Sequence, residues 1–196
     1  VVFINARPMN PGTEDYLLSQ GVQEFKHFEV HPLRGAFNAL WYLFMRRMPL
    51  QAGFYADRRA RAYLESLPKS DLAFFSERRV GDYLRNVRAA ETWIDLCDLV
   101  DDNYKTGAAR MNWSPYKLYY LLEWPLLRRW DIKIAKKADR TFLVTEYFAR
   151  MLARRLNGDA GKIKPLENGI NVELEGASPK GRHGWYFLGP LSYKPN

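Results

Sequence analysis

The chain has 196 residues, enough for one well-filled core, or for one domain and the beginning of another. Hydrophobic residues make up 47% and aromatics 15%, which excludes a disordered chain, because that much apolar surface offsets the cost of ordering the backbone. The excess of 30 Lys and Arg over 22 Asp and Glu leaves +8 at pH 7 and implies an anionic partner: nucleic acid, a lipid surface or a phosphorylated small molecule.

Read in chain order, strands and helices alternate. Val1–Ala6 reads as a strand, and Pro11–Gly21 opens with Pro and a capping residue and stops at Gly, as a short helix does. Phe25–Pro32 alternates and ends at Pro, a second strand. Helices are expected from Gly35 to Met48 and from Asp57 to Leu67, each closed by a proline. Asp71–Ser76 is a strand, Arg78–Asn86 a helix, and Thr92–Val100 a strand whose near-continuous apolar run suits a sheet covered on both faces. Ser114-Pro115 caps a long helix to about Lys137, with a kink expected at Pro125. Arg140–Thr145 is a strand, Glu146–Leu156 its helix, and Ile163–Leu166 a last short strand. This alternation predicts an α/β fold, a Rossmann-like parallel sheet with helices on both faces.

From Glu167 the texture becomes Gly-rich and polar, as in a linker, and Trp185–Leu188 resumes a strand pattern. The expected organisation is a first domain over 1–168, a linker over 169–184, and the first strand of a second domain over 185–196, with the chain cut at both ends. Cys97, alone in an apolar run, forms no disulfide and is expected to be a small buried residue, which fits a reducing cytosolic compartment. The run Phe37–Met45 is roughly half the length of a membrane span.

Asp139-Arg-Thr-Phe-Leu-Val-Thr-Glu146, then Lys164-Pro-Leu-Glu-Asn-Gly-Ile-Asn171, then Phe187-Leu-Gly-Pro-Leu-Ser-Tyr-Lys-Pro-Asn196 form an ordered set. The set resembles the domain crossover of GT-B glycosyltransferases, within the large retaining family of bacterial exopolysaccharide and lipopolysaccharide sugar transferases. Trp93–Asp102 and Leu127–Asp139 are similar to the family's Asp-rich strand end and to the long helix that follows it. The match covers roughly residues 90 to 196; the first ninety correspond only by order of elements. Two departures stand out. No Gly-rich phosphate loop follows Val1–Ala6, and the family's Glu-x7-Glu pair would lie beyond Asn196.

The resemblance implies the N-terminal, acceptor-side half of a GT-B fold. It implies transfer of a sugar from a nucleotide-diphosphate donor, with retention, to a glycan or lipid-linked acceptor; no metal or other cofactor is expected. It assigns Asp98 and Asp101 to the acceptor hydroxyl, as hydrogen-bond partner or base, with Asp102, Thr145 and Glu146 beside the acceptor. Asn168, Gly169, Gly189 and Pro190 fall on the donor side. From the residues themselves, the three aspartates follow a strand at its carboxyl end, where open parallel sheets bind ligands. They equally suit capping of the next turn, and Thr145 suits a helix N-cap. Gly189-Pro190 is either a close approach to phosphate or an ordinary strand exit.

Residues 33–50 combine an aromatic and aliphatic surface with Arg34, Arg46 and Arg47. They either lie on an anionic leaflet, making the protein cytoplasmic and peripheral on the inner face of the plasma membrane, or pack on the sheet with the arginines solvated. Arg58–Arg61 and Arg128-Arg129 read as solvated helix faces. His27, His31 and His183 lack ligand spacing. The rival to a transferase is a noncatalytic basic α/β module that binds nucleic acid or an anionic membrane; on the transferase reading no nucleic acid is expected.

Overall fold

The computed structural model describes residues 1–157 and 160–169. The linker expected beyond Gly169 and the strand expected over 185–196, with Gly189 and Pro190, lie outside them. In chain order the elements are β1 (Val2–Asn5), α1 (Thr13–Ser19), β2 (Lys26–Glu29), α2 (Pro32–Arg46), α3 (Leu50–Phe54), α4 (Arg58–Ser66) and β3 (Ser70–Ser76). A 3-10 helix (Arg78–Asn86) follows, then β4 (Ala89–Asp95), α5 (Val100–Arg110), α6 (Pro115–Lys137), β5 (Arg140–Leu143) and α7 (Glu146–Arg155). A short 3-10 turn (Ala160–Lys162) leads into β6 (Ile163–Pro165).

Among the described residues all strand pairs are parallel: β1 with β2 in one sheet, and β3-β4-β5-β6 in a four-stranded second. The protein is α/β and Rossmann-like, with helices flanking the parallel sheet. Progress runs from β1 out to β2 on one side and from β3 out to β6 on the other. The direction of winding therefore reverses between β1 and β3, and parallel sheets place their ligand sites at such a reversal.

One core joins these parts. Ile94, Leu96 and Leu143 from the sheet side meet Trp130 and Ile134 of α6, Leu152 of α7, and Tyr83 of the 3-10 helix, all buried. Burying each such side chain is worth about 1.5–3 kcal/mol. Packing is close enough that a Cβ on Gly81 would stand 2.8 Å from Ile134 Cγ2. The other face of β3–β5 carries a row of rings, Phe74, Phe142 and Trp93, with centroids 6.4 and 5.5 Å apart. Among the described residues, Leu72 and Phe74 are exposed there.

Local chemistry explains the boundaries. Pro32 and Pro115 sit in first turns, where a missing N–H costs nothing. Asp57 caps α4 by accepting from the N–H groups of Arg59 and Ala60, and Ser114 caps α6 through Lys117 N–H. The helix runs through Pro125 as one element of 23 residues.

Three expectations are corrected. The strand expected over Thr92–Val100 ends at Asp95, because the Asp95 carboxylate accepts the Cys97 N–H at 2.8 Å and turns the chain. Cys97 is consequently exposed, at φ 62°, rather than buried. Second, Val100 opens α5, an unpredicted helix. Third, Arg61 is not solvated: it donates to Asp82 at 2.8 Å and to the Tyr42 hydroxyl at 2.7 Å. No helix among the described residues is long and apolar enough to cross a membrane.

Candidate functional site at the carboxyl edge

β3, β4, β5 and β6 are parallel and in register, so their carboxyl ends share one edge. At the ends of β3 and β4 lies a cavity of about 230 Å³ lined by Gln51, Glu77, Arg79, Cys97, Asp98 and Tyr104, with Arg78 beneath it. Two residues of this lining hold left-handed backbones that favour glycine, Glu77 at φ 73° and Cys97 at φ 62°. Such conformations cost about 1–3 kcal/mol each and persist where the surroundings fix them. Glu77 is held by its N–H on Asp95 O at 2.7 Å, and Cys97 by its carbonyl accepting from Val144 N–H.

The floor is electrostatic. Arg78, nearly fully buried, donates from Nε to Asp131 at 3.1 Å and from Nη2 to the carbonyls of Leu96 and Asp98. The same guanidinium lies 3.5 Å from the Asp98 carboxylate. Asp131 is fully buried; burial pushes its carboxyl up to about 6, although the Arg78 charge pulls the other way. Arg78 thus clamps the loop after β4 and keeps Asp98, whose side chain is 38% exposed, at the cavity wall. Arg79 donates to Glu77 at 2.6 Å and lies over the Tyr55 ring at 5.4 Å. Although Cys97 is exposed, partial desolvation and the carboxylates of Asp95, Glu77 and Asp98 push its thiol up to about 11, which disfavours the thiolate at neutral pH.

Next to the cavity lies an aromatic groove of about 700 Å³ that shares Gln51, Arg79 and Tyr104 with it and adds Leu40, Phe54, Tyr55 and Tyr119. Tyr104 stacks on Tyr120 with centroids 4.4 Å apart, which fixes its ring as a wall. Glu123, buried in α6, accepts from the N–H groups of Leu50 at 3.0 Å and Gln51 at 3.2 Å and so positions α3 at the groove. Burial raises the Glu123 carboxyl above its usual range, and burial with Glu123 nearby raises the Tyr119 hydroxyl.

The residues expected at the site separate into four groups. Asp98 lines the cavity. Asp101 does not reach it: it is fully buried in the first turn of α5 and takes Arg155 Nη1 at 2.9 Å, with Asp102 on the same guanidinium at 3.3 Å. That pairing ties α5 to α7. Thr145 and Glu146 lie at the carboxyl end of β5, where Thr145 accepts Phe148 N–H as the cap of α7 and Glu146 pairs with Arg150 at 2.8 Å. Asn168 and Gly169 follow β6 and are exposed. Glu77, Arg78, Arg79 and Tyr104 were not anticipated, although Glu77-Arg78-Arg79 directly follows the strand ending at Ser76 and the carboxyl-end rule points to it.

The fold and this edge define a Rossmann-like α/β protein with a charged pocket at the ends of adjacent parallel strands. No family model matches the chain, and no curated protein matches it in sequence.

Proposed function

We propose that this chain is the acceptor-side lobe of a retaining sugar transferase that takes a nucleotide-diphosphate sugar as donor and a lipid-linked glycan as acceptor. One observation carries the reading: Glu77, Arg79 and Asp98 converge on one cavity at the carboxyl edge, and an aromatic groove that shares its lining lies beside it. Carboxylates beside a guanidinium suit the hydroxyls of a sugar, and Asp98 is the group placed to accept a proton from one. Tyr55, Tyr104 and Tyr119 offer flat surfaces for a ring.

The lipid-linked class is favoured by α2, which lines the same groove through Leu40. Its outer face leaves Leu33, Phe37, Leu40, Trp41 and Phe44 exposed, between 53% and 77%, and Phe37 stacks on Trp41. These side chains do not pack on the sheet; α2 buries only Gly35 and Ala39 against α3. With Arg34 and Arg47 exposed beside them, they form a surface suited to an anionic leaflet, where each cation contributes about 1 kcal/mol. Noncatalytic attachment to such a leaflet is the second reading this face supports.

The test is binding of a polyprenyl-phosphate-linked monosaccharide in nanodiscs of anionic lipid, followed by NMR of 15N-labelled protein. Expected are shifts at Glu77, Arg79, Cys97 and Asp98 that the unglycosylated lipid does not produce and that Asp98→Ala abolishes. Shifts confined to α2 with either lipid indicate membrane attachment alone. No response to lipid, with log-linear salt-dependent binding of single-stranded DNA, overturns both readings.

A further inference from the structure

A cavity of about 860 Å³ lies not at the carboxyl edge but along the side of the sheet. One wall is β1, Val2–Asn5, and the other is β3, from Ser70 to Ser76. Among the described residues β1 pairs with β2 alone and β3 with β4 alone, so each presents an edge to the gap that no other described strand pairs. Such edges hold rows of N–H and C=O groups, a ready template for pairing with another strand.

Both edges point the same way. β1 and β2 are parallel. The helix α4 starts at the carboxyl end of β2, where Arg59 donates to Glu29 O at 2.9 Å, and heads back toward its start, where the Tyr63 hydroxyl donates to Glu24 at 2.9 Å. Ser70 therefore begins β3 at the end of the sheet where β1 and β2 begin. The floor is apolar, formed by Leu64, Phe75, Val80 and Tyr83, while Arg88 stands at one end and Glu77 with Arg79 at the other. On the open side Leu72 and Phe74 are exposed, where a strand inside an α/β sheet is normally covered on both faces.

We propose that this gap is a docking slot for one extended apolar peptide strand, which lies parallel between β1 and β3 and joins the two sheets into one of seven strands. Only a strand satisfies both rows of backbone groups at once; a small ligand or a helix leaves them unpaired. The occupant needs about five residues, since a strand rises about 3.3 Å per residue and β1 offers four. Its side chains are apolar on both faces, alternately against Leu64 and Tyr83 below and Phe74 above, with charges only beyond the slot's ends. Branched residues meet that requirement best.

The experiment adds a synthetic peptide to the 196-residue chain: five alternating Val and Ile residues between pairs of Lys, labelled for anisotropy. A twin carries N-methyl groups on alternate backbone nitrogens, keeping the apolar surface and removing donors. The first peptide is expected to bind and to slow amide exchange in Val2–Asn5 and Ser70–Ser76 while leaving Ile163–Pro165 unchanged. The twin is expected to bind about tenfold or more weakly, as loss of two or more hydrogen bonds implies. Phe74→Asp, at an exposed position whose fold circular dichroism checks, is expected to weaken the first peptide. Equal binding of both peptides, or no binding, overturns the proposal. So does protection of both edges in the chain alone, with sedimentation assigning it either to a second copy (dimer) or to direct closure of the gap (monomer).

Discussion

The floor of the carboxyl-edge cavity and the outer face of α2 invert the usual order in opposite senses. Beneath the cavity the chain buries charge, Arg78 with Asp131, and the clamped loop supplies two carbonyls to the guanidinium while Asp131 Oδ2 stays without a hydrogen-bond partner among the described residues. On α2 it exposes large apolar side chains that no other described element covers. Burying an ion pair rarely stabilises a fold relative to an apolar core, and a contiguous exposed patch of Trp, Phe and Leu marks a surface for interaction. Each region therefore points to a task other than holding the fold together: one positions a loop, the other offers a surface.

Breaking one partner beneath the cavity has the largest expected effect. Asp131→Ala removes the buried partner of Arg78 and leaves it only the partly exposed Asp98 carboxylate at 3.5 Å, and is expected to cost about 3 kcal/mol in urea unfolding. The same carboxyl sets a pH dependence. Its folded value, about 6, lies above the ordinary 3.8. The folded state therefore holds the proton more tightly, and the stability this group supplies is complete below 3.8 and lost as pH rises through 6, at about 1.4 kcal/mol per unit of difference. The wild type is expected to gain stability relative to Asp131→Asn between pH 7 and pH 5; equal slopes would contradict a strained buried carboxyl.

Smaller effects sharpen the contrast. Gly81→Ala forces a methyl against Ile134 and is expected to cost about 1–3 kcal/mol by overpacking. Thr145→Ala removes the cap of α7, worth about 1 kcal/mol; an additional loss of acceptor binding would give Thr145 a role at the site. The smallest change in stability belongs to α2. Phe37→Ser with Phe44→Ser is expected to move unfolding by less than about 0.5 kcal/mol per site, yet to abolish sedimentation with anionic vesicles. A large loss of stability would mean that the face packs inward.

Where a signal was local, the sequence showed it. Ser114-Pro115 announced α6, Asp57 announced α4, and the apolar runs marked β3 and β5 closely. The failures share a cause. α3 is five residues long and its first N–H groups are capped by Glu123, more than seventy positions away, so nothing near Leu50 announces it. Leu96 and Leu99 are buried in a loop and look like strand residues, which hid the turn at Asp95 and the helix behind it. The site was half legible for the same reason. Asp98 follows a strand end and was expected; Asp101 looks identical in sequence but is claimed by Arg155, which only the tertiary fold brings near. Arg78 appeared in the sequence only as the start of an expected helix, because its partner Asp131 lies 53 residues on.

The most direct measurement is photocrosslinking with a diazirine-bearing sugar acceptor, read by peptide mass mapping. Labelling of residues 77–79 and 97–104, competed by unlabelled acceptor and lost in Asp98→Ala, is the predicted result. Labelling spread over the basic surface, insensitive to competitor and to Asp98→Ala, would contradict a sugar site at the carboxyl edge.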